Sequence, residues 1–143
     1  MHEPRPVSSC PVSCWAIGAT AQCGFPSPAE SHAQQRIDLN QVLIHHPDAT
    51  FFMRVRGESM KEAGINDGDH IIVDRSLEPR HGDIILAVID NEFTVKTLFR
   101  QNGKIRLLAA NPAFPDIVLQ DGQELTVWGV VTWTLKQNRC VSP

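Results

Sequence analysis

A succession of short strand patterns, beginning at Thr50, constrains the fold of this chain more than any other feature. Residues 83–89 are nearly all apolar, which predicts a strand covered on both faces. Asp90-Asn91 and Asn102-Gly103 are tight-turn signals that predict two hairpins. Strands separated by such turns predict a mainly β fold, built as an antiparallel sheet or barrel. The predicted strands are residues 51–55, 70–73, 83–89, 92–98, 104–109 and 124–135, the last with a bulge or bend at Gly129.

The first 49 residues carry a different pattern. Residues 1–21 are rich in Ser, Thr and Pro and poor in charges, which predicts an unstructured arm. Residues 36–46 predict one or two helical turns that end before Pro47. Because a helix-turn-helix domain needs roughly 60 residues or more of helical pattern, we expect no such DNA-binding domain here. We therefore divide the chain into an arm (1–23), a linker (24–49) and a β domain (50–143).

Charge and cysteine content narrow the classes of function. The net charge of −3 supplies no basic field for a nucleic acid backbone, so strong direct DNA binding is not expected. Cys10, Cys14, Cys23 and Cys140 lie near the two ends of the chain, so we predict a reducing cytoplasm and no disulfide framework. Cys10 and Cys14 are a lone pair with no second pair and no paired histidines. We accordingly predict neither a metal site nor a cofactor.

A secretory signal is the alternative interpretation of the N-terminus. Residues 14–21 are mildly apolar, and Ala19-Thr20-Ala21 mimics a small-x-small cleavage site. Against this, the basic region is only Arg5 beside Glu3, and Pro11 interrupts a short apolar core. No run approaches the ~18–20 apolar residues that a membrane span needs. The expectation is therefore a cytoplasmic protein that crosses no membrane.

Two segments carry candidate catalytic chemistry. Gly57-Glu58-Ser59-Met60 offers a serine on a glycine-containing turn, and the strand over residues 92–98 offers Lys96. A serine hydroxyl is a weak nucleophile until a base takes its proton. A lysine serves as that base only when it is neutral, which requires a desolvated amine. With Ser59 as nucleophile and Lys96 as general base, the chain would be a Ser-Lys hydrolase.

The residues alone leave plainer interpretations open. One is that Ser59 caps a turn or a short helix. Another is that Lys96 lies on the solvated face of its strand, since period-two alternation puts it on one face with Thr94 and Leu98 but does not say which face is buried. None of the histidines falls in a recognisable triad motif, so none is given a catalytic role. A buried amine would need apolar walls, for which the candidates are Val95, Leu98, Met60 and residues 84–86.

Four further motifs run in order along the chain with the serine and lysine segments. They are Gln22-Cys23-Gly24-Phe25-Pro26-Ser27-Pro28, Gln35-Arg36-Ile37-Asp38-Leu39-Asn40-Gln41, Gly64-Ile65-Asn66-Asp67-Gly68-Asp69 and His81-Gly82-Asp83-Ile84. Together with Gly57-Glu58-Ser59-Met60 and Glu92-Phe93-Thr94-Val95-Lys96, they resemble the UmuD family. These are the self-cleaving SOS mutagenesis proteins related to the LexA repressor peptidase domain. The resemblance runs from about Gln22 to the C-terminus, whereas residues 1–21 differ from the family's usual arm.

The resemblance implies a mainly β fold like that of LexA and signal peptidase, with a flexible N-terminal arm, and a homodimer. It implies Ser59 as nucleophile, Lys96 as general base, and a scissile bond between Cys23 and Gly24. In the family, a RecA filament on single-stranded DNA stimulates this cleavage, and the product joins UmuC, a Y-family polymerase, in the translesion DNA polymerase V. The alternatives are a LexA-type repressor peptidase without its DNA-binding domain and a signal-peptidase-like Ser-Lys protease.

The segment around the scissile bond also suits cleavage on physical grounds. Cys23 and Gly24 are small, so a narrow cleft can hold the bond between them near Ser59. Phe25 offers an anchor, and the two prolines that follow keep the chain extended and reduce the entropy lost on docking. We expect the backbone N–H of Ser59 to help stabilise the oxyanion. The sequence leaves open whether a chain cleaves itself or a partner.

Overall fold

The computed structural model of this chain describes residues 13–18, 20–21, 23–25, 33–119 and 123–140. The chain divides into two compact units, residues 1–45 and 46–143. The division into arm, linker and β domain stays a prediction, and most of the predicted arm, residues 1–12, lies outside the described residues. In the described ranges, no helix is long and apolar enough to cross a membrane.

The first unit contains a two-stranded antiparallel ribbon followed by one short helix. Strand β1 (Ser13–Ile17) pairs with β2 (Gln34–Asp38), and helix α1 (Leu39–Leu43) follows directly. The carboxylate of Asp38 caps α1 by accepting a hydrogen bond from the Asn40 N–H at 2.9 Å. The helix falls inside the predicted helical turns, but the prediction of an unstructured segment is wrong for β1.

The second unit is built on one seven-stranded antiparallel sheet. In the sheet, the strand order is β3-β4-β9-β5-β6-β7-β8, and every pairing is antiparallel. This confirms the predicted mainly β fold. The strands are β3 (Thr50–Arg54), β4 (His70–Asp74), β5 (Ile84–Ile89), β6 (Glu92–Gln101), β7 (Lys104–Leu108), β8 (Ile117–Val118) and β9 (Leu125–Leu135).

Two tight hairpins fix the position of β6 between β5 and β7. Asp90 and Asn91 join β5 to β6 with φ angles of 49° and 64°, and Asn102 and Gly103 join β6 to β7 with φ angles of 53° and 73°. Positive φ at both central residues matches the right-handed twist of the flanking strands, and Asn, Asp and Gly accept it most easily. Both predicted hairpins are confirmed, although β6 runs three residues further than predicted.

The core of the second unit lies on both faces of the sheet. In β5, Leu86 packs in one buried cluster, whereas Ile85 and Ala87 pack in the other. Neighbouring residues of a strand point to opposite faces, so this strand is covered on both sides, as its apolar run predicts. The first cluster contains Val55, Met60, Ile65, Ile71, Val73 and Leu86, and the second contains Ile85, Ala87, Leu98 and Leu107.

A bulge at Gly129 lets β9 pair with β4 on one side and β5 on the other. Leu86 lies opposite Gly129, but the next residue, Ala87, lies opposite Val127, so Trp128 is the extra residue. A Cβ placed on Gly129 would stand 2.5 Å from Cγ1 of Val73. The Val73 side chain of β4 therefore occupies the space that a Cβ at residue 129 would need, which gives the glycine its physical reason, and the register shift beside it confirms the predicted bulge.

We predict that Gly129→Ala destabilises the second unit by about 1–3 kcal/mol, the usual range for forcing an atom into a packed core. Thermal or urea unfolding measures the change. Thr126→Ala, at an exposed position of the same strand, is the matched control and should have little effect. In a Val73→Ala background the obstructing Cγ1 is absent, so the added cost of Gly129→Ala should shrink. An equal cost in both backgrounds would contradict this account of the glycine.

Candidate active site

The turn that follows β3 presents Ser59 at the surface and anchors Met60 in the core. Gly57 adopts φ +94°, and its N–H donates to Oδ1 of Asp67 at 2.8 Å, which ties the turn to a neighbouring loop. Met60 is 2% exposed and packs in the first buried cluster. The short 3-10 helix that begins at Lys61 takes Met60 as its N-cap and has no side-chain cap. Ser59 therefore does not serve as the helix cap.

Lys96 lies in the middle of β6, paired with Ile85 of β5, and its side chain reaches Ser59. Its Nζ donates to Oγ of Ser59 at 3.0 Å, to Oγ1 of Thr94 at 3.0 Å and to the carbonyl of Val95 at 3.1 Å. Three N–H donors thus have three oxygen acceptors. Thr94 shares a face with Lys96, as the alternation of the strand predicts. Its hydroxyl oxygen accepts a hydrogen bond from the amine within the same strand.

The Lys96 side chain is only 8% exposed, so its strand face is not the solvated one. Burial penalises the charged ammonium and lowers the pKa of Lys96 below its ordinary value of 10.5. No carboxylate in the described part of the chain forms an ion pair with Lys96 to offset this effect. Burial therefore shifts the protonation balance of Lys96 toward the neutral amine, which is the form that can accept a proton from a serine hydroxyl.

A cleft of about 290 Å³ opens beside Ser59. One wall comes from the end of β3 and the turn after it, and the other comes from β5 and the first part of β6. The lining is mostly apolar and includes two arginines, which suits an extended peptide whose main chain is held near the serine. The lining residues are Met53, Arg54, Val55, Arg56, Gly57, Ser59, Met60, Leu86, Phe93, Thr94 and Val95.

Cys23 and Gly24, the predicted scissile pair, lie in the connection between β1 and β2 and are both exposed. Phe25 beside them is 95% exposed. Exposed loop residues of this kind are the usual sites of proteolytic cleavage. These residues belong to the first unit, whereas Ser59 and Lys96 belong to the second. The structure brings the serine and the lysine together, and it describes Cys23, Gly24 and Phe25 as exposed.

Thr94 is a site residue to which the sequence analysis gave no role. The alternation of β6 already placed it on the face of Lys96, but nothing in the sequence says that its hydroxyl contacts the amine. A hydroxyl two residues before a buried lysine, on the same face of a strand, is the signal that would have identified it. Among the described residues, no group of His, Cys, Asp and Glu side chains is arranged to hold a metal ion.

Comparison with known proteins places this geometry in context. A family model described as Peptidase S24-like matches residues 16–132. The protein ImpA of Salmonella typhimurium is 44% identical over 119 residues, which are 82% of this chain and 80% of that protein. The protein SamA of Salmonella typhimurium strain LT2 is 44% identical over 131 residues, 90% of this chain and 91% of that protein. The LexA repressor of Halorhodospira halophila is 37% identical over 94% of this chain but only 59% of its own length.

The lowered pKa of Lys96 predicts how stability changes with pH. In the unfolded chain a lysine keeps its proton up to about 10.5, whereas the folded site releases it at a lower pH. Between these two pH values the unfolded state binds more protons, so raising the pH stabilises the folded wild type. Lys96→Met has no ionisable group at this position. Its unfolding midpoint should therefore fall relative to that of the wild type as the pH rises through this window. Each kcal/mol corresponds to about 4–8 °C in the unfolding midpoint.

The measurement is thermal unfolding of both proteins from pH 7 to pH 11. Lys104→Met is the matched control, because Lys104 is exposed at the start of β7. Its midpoint should follow that of the wild type at every pH. A constant difference between Lys96→Met and the wild type across the whole range would show that burial does not lower this pKa.

Proposed function

The chain belongs to the Peptidase S24-like family, among its UmuD-like SOS mutagenesis proteins, and we propose that it cleaves its own Cys23–Gly24 bond with Ser59 as nucleophile and Lys96 as general base. One observation carries the proposal. The buried Nζ of Lys96 lies 3.0 Å from the Oγ of Ser59, within the distance that direct proton transfer requires. The open cleft beside the serine supports it further.

The first half of the reaction forms an ester. Neutral Lys96 takes the proton of the Ser59 hydroxyl, and Oγ attacks the carbonyl carbon of Cys23. The Ser59 N–H stabilises the negative charge that develops on the carbonyl oxygen. Lys96, now an ammonium, gives its proton to the nitrogen of Gly24 as the bond to Cys23 breaks. The new N-terminus at Gly24 leaves, and Cys23 remains joined to Ser59.

The second half releases the arm. Lys96, neutral again, takes a proton from a water molecule, which attacks the ester carbonyl. The proton then returns to the Ser59 oxygen as the ester breaks, and residues 1–23 depart with a carboxylate on Cys23. Thr94 keeps the amine directed at Ser59 through both halves by accepting one of its hydrogen bonds, at 3.0 Å.

The proposal extends to regulation and partners. A RecA filament on single-stranded DNA stimulates the cut, and the shortened product, a homodimer in the cytoplasm, joins a UmuC-like Y-family polymerase as a subunit of an error-prone translesion enzyme. The family membership of the chain supports these assignments. The net charge of −3 fits a protein that reaches DNA through such partners rather than by itself.

We predict that incubation with RecA, an ATP analogue and single-stranded DNA removes the first 23 residues, as measured by intact mass. Ser59→Ala and Lys96→Ala should each reduce the cleavage rate by more than about 1,000-fold, because each removes one half of a unit that acts together. Lys104→Ala changes a lysine outside the site and should cleave like the wild type. A cut elsewhere, or undiminished cleavage in either dyad variant, would refute the proposal.

The rate of unassisted cleavage should rise with pH. Deprotonation of Lys96 creates the active base, so the rate increases up to the pKa of Lys96, which burial holds below 10.5, and then levels off. Time courses of intact mass from pH 6 to pH 11 give the profile. Lys96→Arg should not cleave at any of these pH values, since a guanidinium keeps its proton throughout. A rate independent of pH would exclude a titrating amine as the base.

A further inference from the structure

The loop that joins β7 to β8 holds the backbone of the serine turn. The N–H of Ala110 donates to the carbonyl of Ser59 at 2.7 Å, and the N–H of Glu62 donates to the carbonyl of Ala110 at 2.7 Å. A side chain adds a third bond, since Nδ2 of Asn111 donates to the carbonyl of Glu58 at 2.8 Å. The peptide groups on both sides of Ser59 are therefore fixed from the same loop.

The loop is itself held in one conformation by short-range hydrogen bonds. Oδ1 of Asn111 accepts the N–H of Ala113 at 3.0 Å, and the carbonyl of Asn111 accepts the N–H of Phe114 at 3.0 Å. At the ends of the loop, the N–H of Ala109 donates to the carboxylate of Asp116 at 3.0 Å. Because the oxygen of the Asn111 amide is used within the loop, its nitrogen is the end that faces Glu58.

The hydrogen bond between Asn111 and the carbonyl of Glu58 also determines the direction of the Ser59 N–H. In a trans peptide the C=O and the N–H point in opposite directions, and the carbonyl of Glu58 shares its peptide group with the N–H of Ser59. The carbonyl faces Asn111, so the N–H points away from the loop. No loop residue from 109 to 116 lines the cleft beside Ser59. In the described part of the chain, no hydrogen-bond acceptor occupies this N–H.

We propose that Asn111 is a positioning residue that aims the Ser59 N–H at the oxyanion of the cleavage reaction. The inference rests on the proposed function, because it assigns Asn111 to the same Ser59-dependent cut. Without the Asn111 amide, the N–H of Lys61, at 3.2 Å, is the one donor that the described residues leave to the carbonyl of Glu58. The peptide group then rotates more freely, and a donor that is not already oriented stabilises the oxyanion less.

Asn111→Asp isolates this role because it removes the amide donor and keeps the oxygen that Ala113 uses. The rate of self-cleavage on the pH plateau should fall about tenfold or more, a smaller loss than removal of a donor from an oxyanion hole. The midpoint of the pH profile should stay in place, since Asn111 is not among the partners of Lys96. Asn111→Ala should behave alike. Asn102→Asp makes the same change in an exposed hairpin and should leave the rate unchanged.

Phosphonylation of Ser59 by a small fluorophosphonate separates this role from docking of the cleavage segment. The Ser59 oxygen bonds to phosphorus, fluoride leaves, the serine proton passes to Lys96, and the phosphoryl oxygen takes the position of the oxyanion. The reagent reacts with Ser59 without docking of the cleavage segment. If Asn111→Asp leaves the Ser59 N–H poorly oriented, labelling should therefore slow by a factor similar to that for cleavage. Mass spectrometry of the labelled chain gives the rate.

Slower cleavage and slower labelling with an unmoved pH midpoint support the inference. Wild-type rates in Asn111→Asp overturn it, and so does slow cleavage with normal labelling, which would assign Asn111 to docking. A midpoint displaced toward 10.5 in Asn111→Ala, which adds no charge, also overturns it, because the variant would then have rehydrated Lys96. Failure of the proposed function is distinguishable, since Ser59→Ala would continue to cleave in the same series.

Discussion

The burial of one amine is the constraint on which the site depends. Lys96 is a side chain that water solvates strongly, yet it lies almost entirely inside the second unit with three neutral oxygens as its partners. Neutral partners satisfy its donors without supplying the opposite charge that would hold its proton in place. A salt bridge at this position would stabilise the ammonium, and an amine that keeps its proton cannot act as a base. The protein therefore carries a locally unfavourable group, and the rest of the sheet must tolerate it.

The sheet tolerates this group because paired strands and buried clusters surround it. β6 lies between β5 and β7, is joined to each by a two-residue hairpin, and has Leu98 in a buried cluster two residues beyond the lysine. Met60 anchors the serine turn in the first buried cluster, which does not contain Leu98. The distance between Ser59 and Lys96 is thus set by two anchored parts of the chain, the paired strand β6 and the turn that Met60 holds in the core.

The fold could be predicted from the sequence wherever the signal was local. The turn dipeptides Asp90-Asn91 and Asn102-Gly103 and the apolar run of β5 were sufficient to predict the central strands, because each specifies its own backbone or its own burial. β1 was missed because its stability depends on pairing with a strand about twenty residues further on. The two-residue strand β8 is too short to leave a pattern.

How much of the site could be predicted depended on the same difference between local and long-range signals. Alternation grouped Thr94 with Lys96 but could not say that their face is buried, since the cover comes from elsewhere in the fold. The contact between Asn111 and Glu58 joins residues 53 positions apart, and no spacing rule predicts it.

The division of the chain into two units has a consequence for the product of the cut. Ser59, Lys96 and the residues that position them all lie within residues 46–143, and Cys23 and Gly24 lie within residues 1–45. In the proposed reaction, removal of the arm therefore consumes the substrate segment and leaves Ser59 and Lys96 in the product. Each processed molecule would then keep the proposed dyad but would have lost its own substrate segment. Because cut and uncut chains would carry the same site, the number of sites stays constant while the uncut substrate is used up, so cleavage of one chain by another would slow as product accumulates.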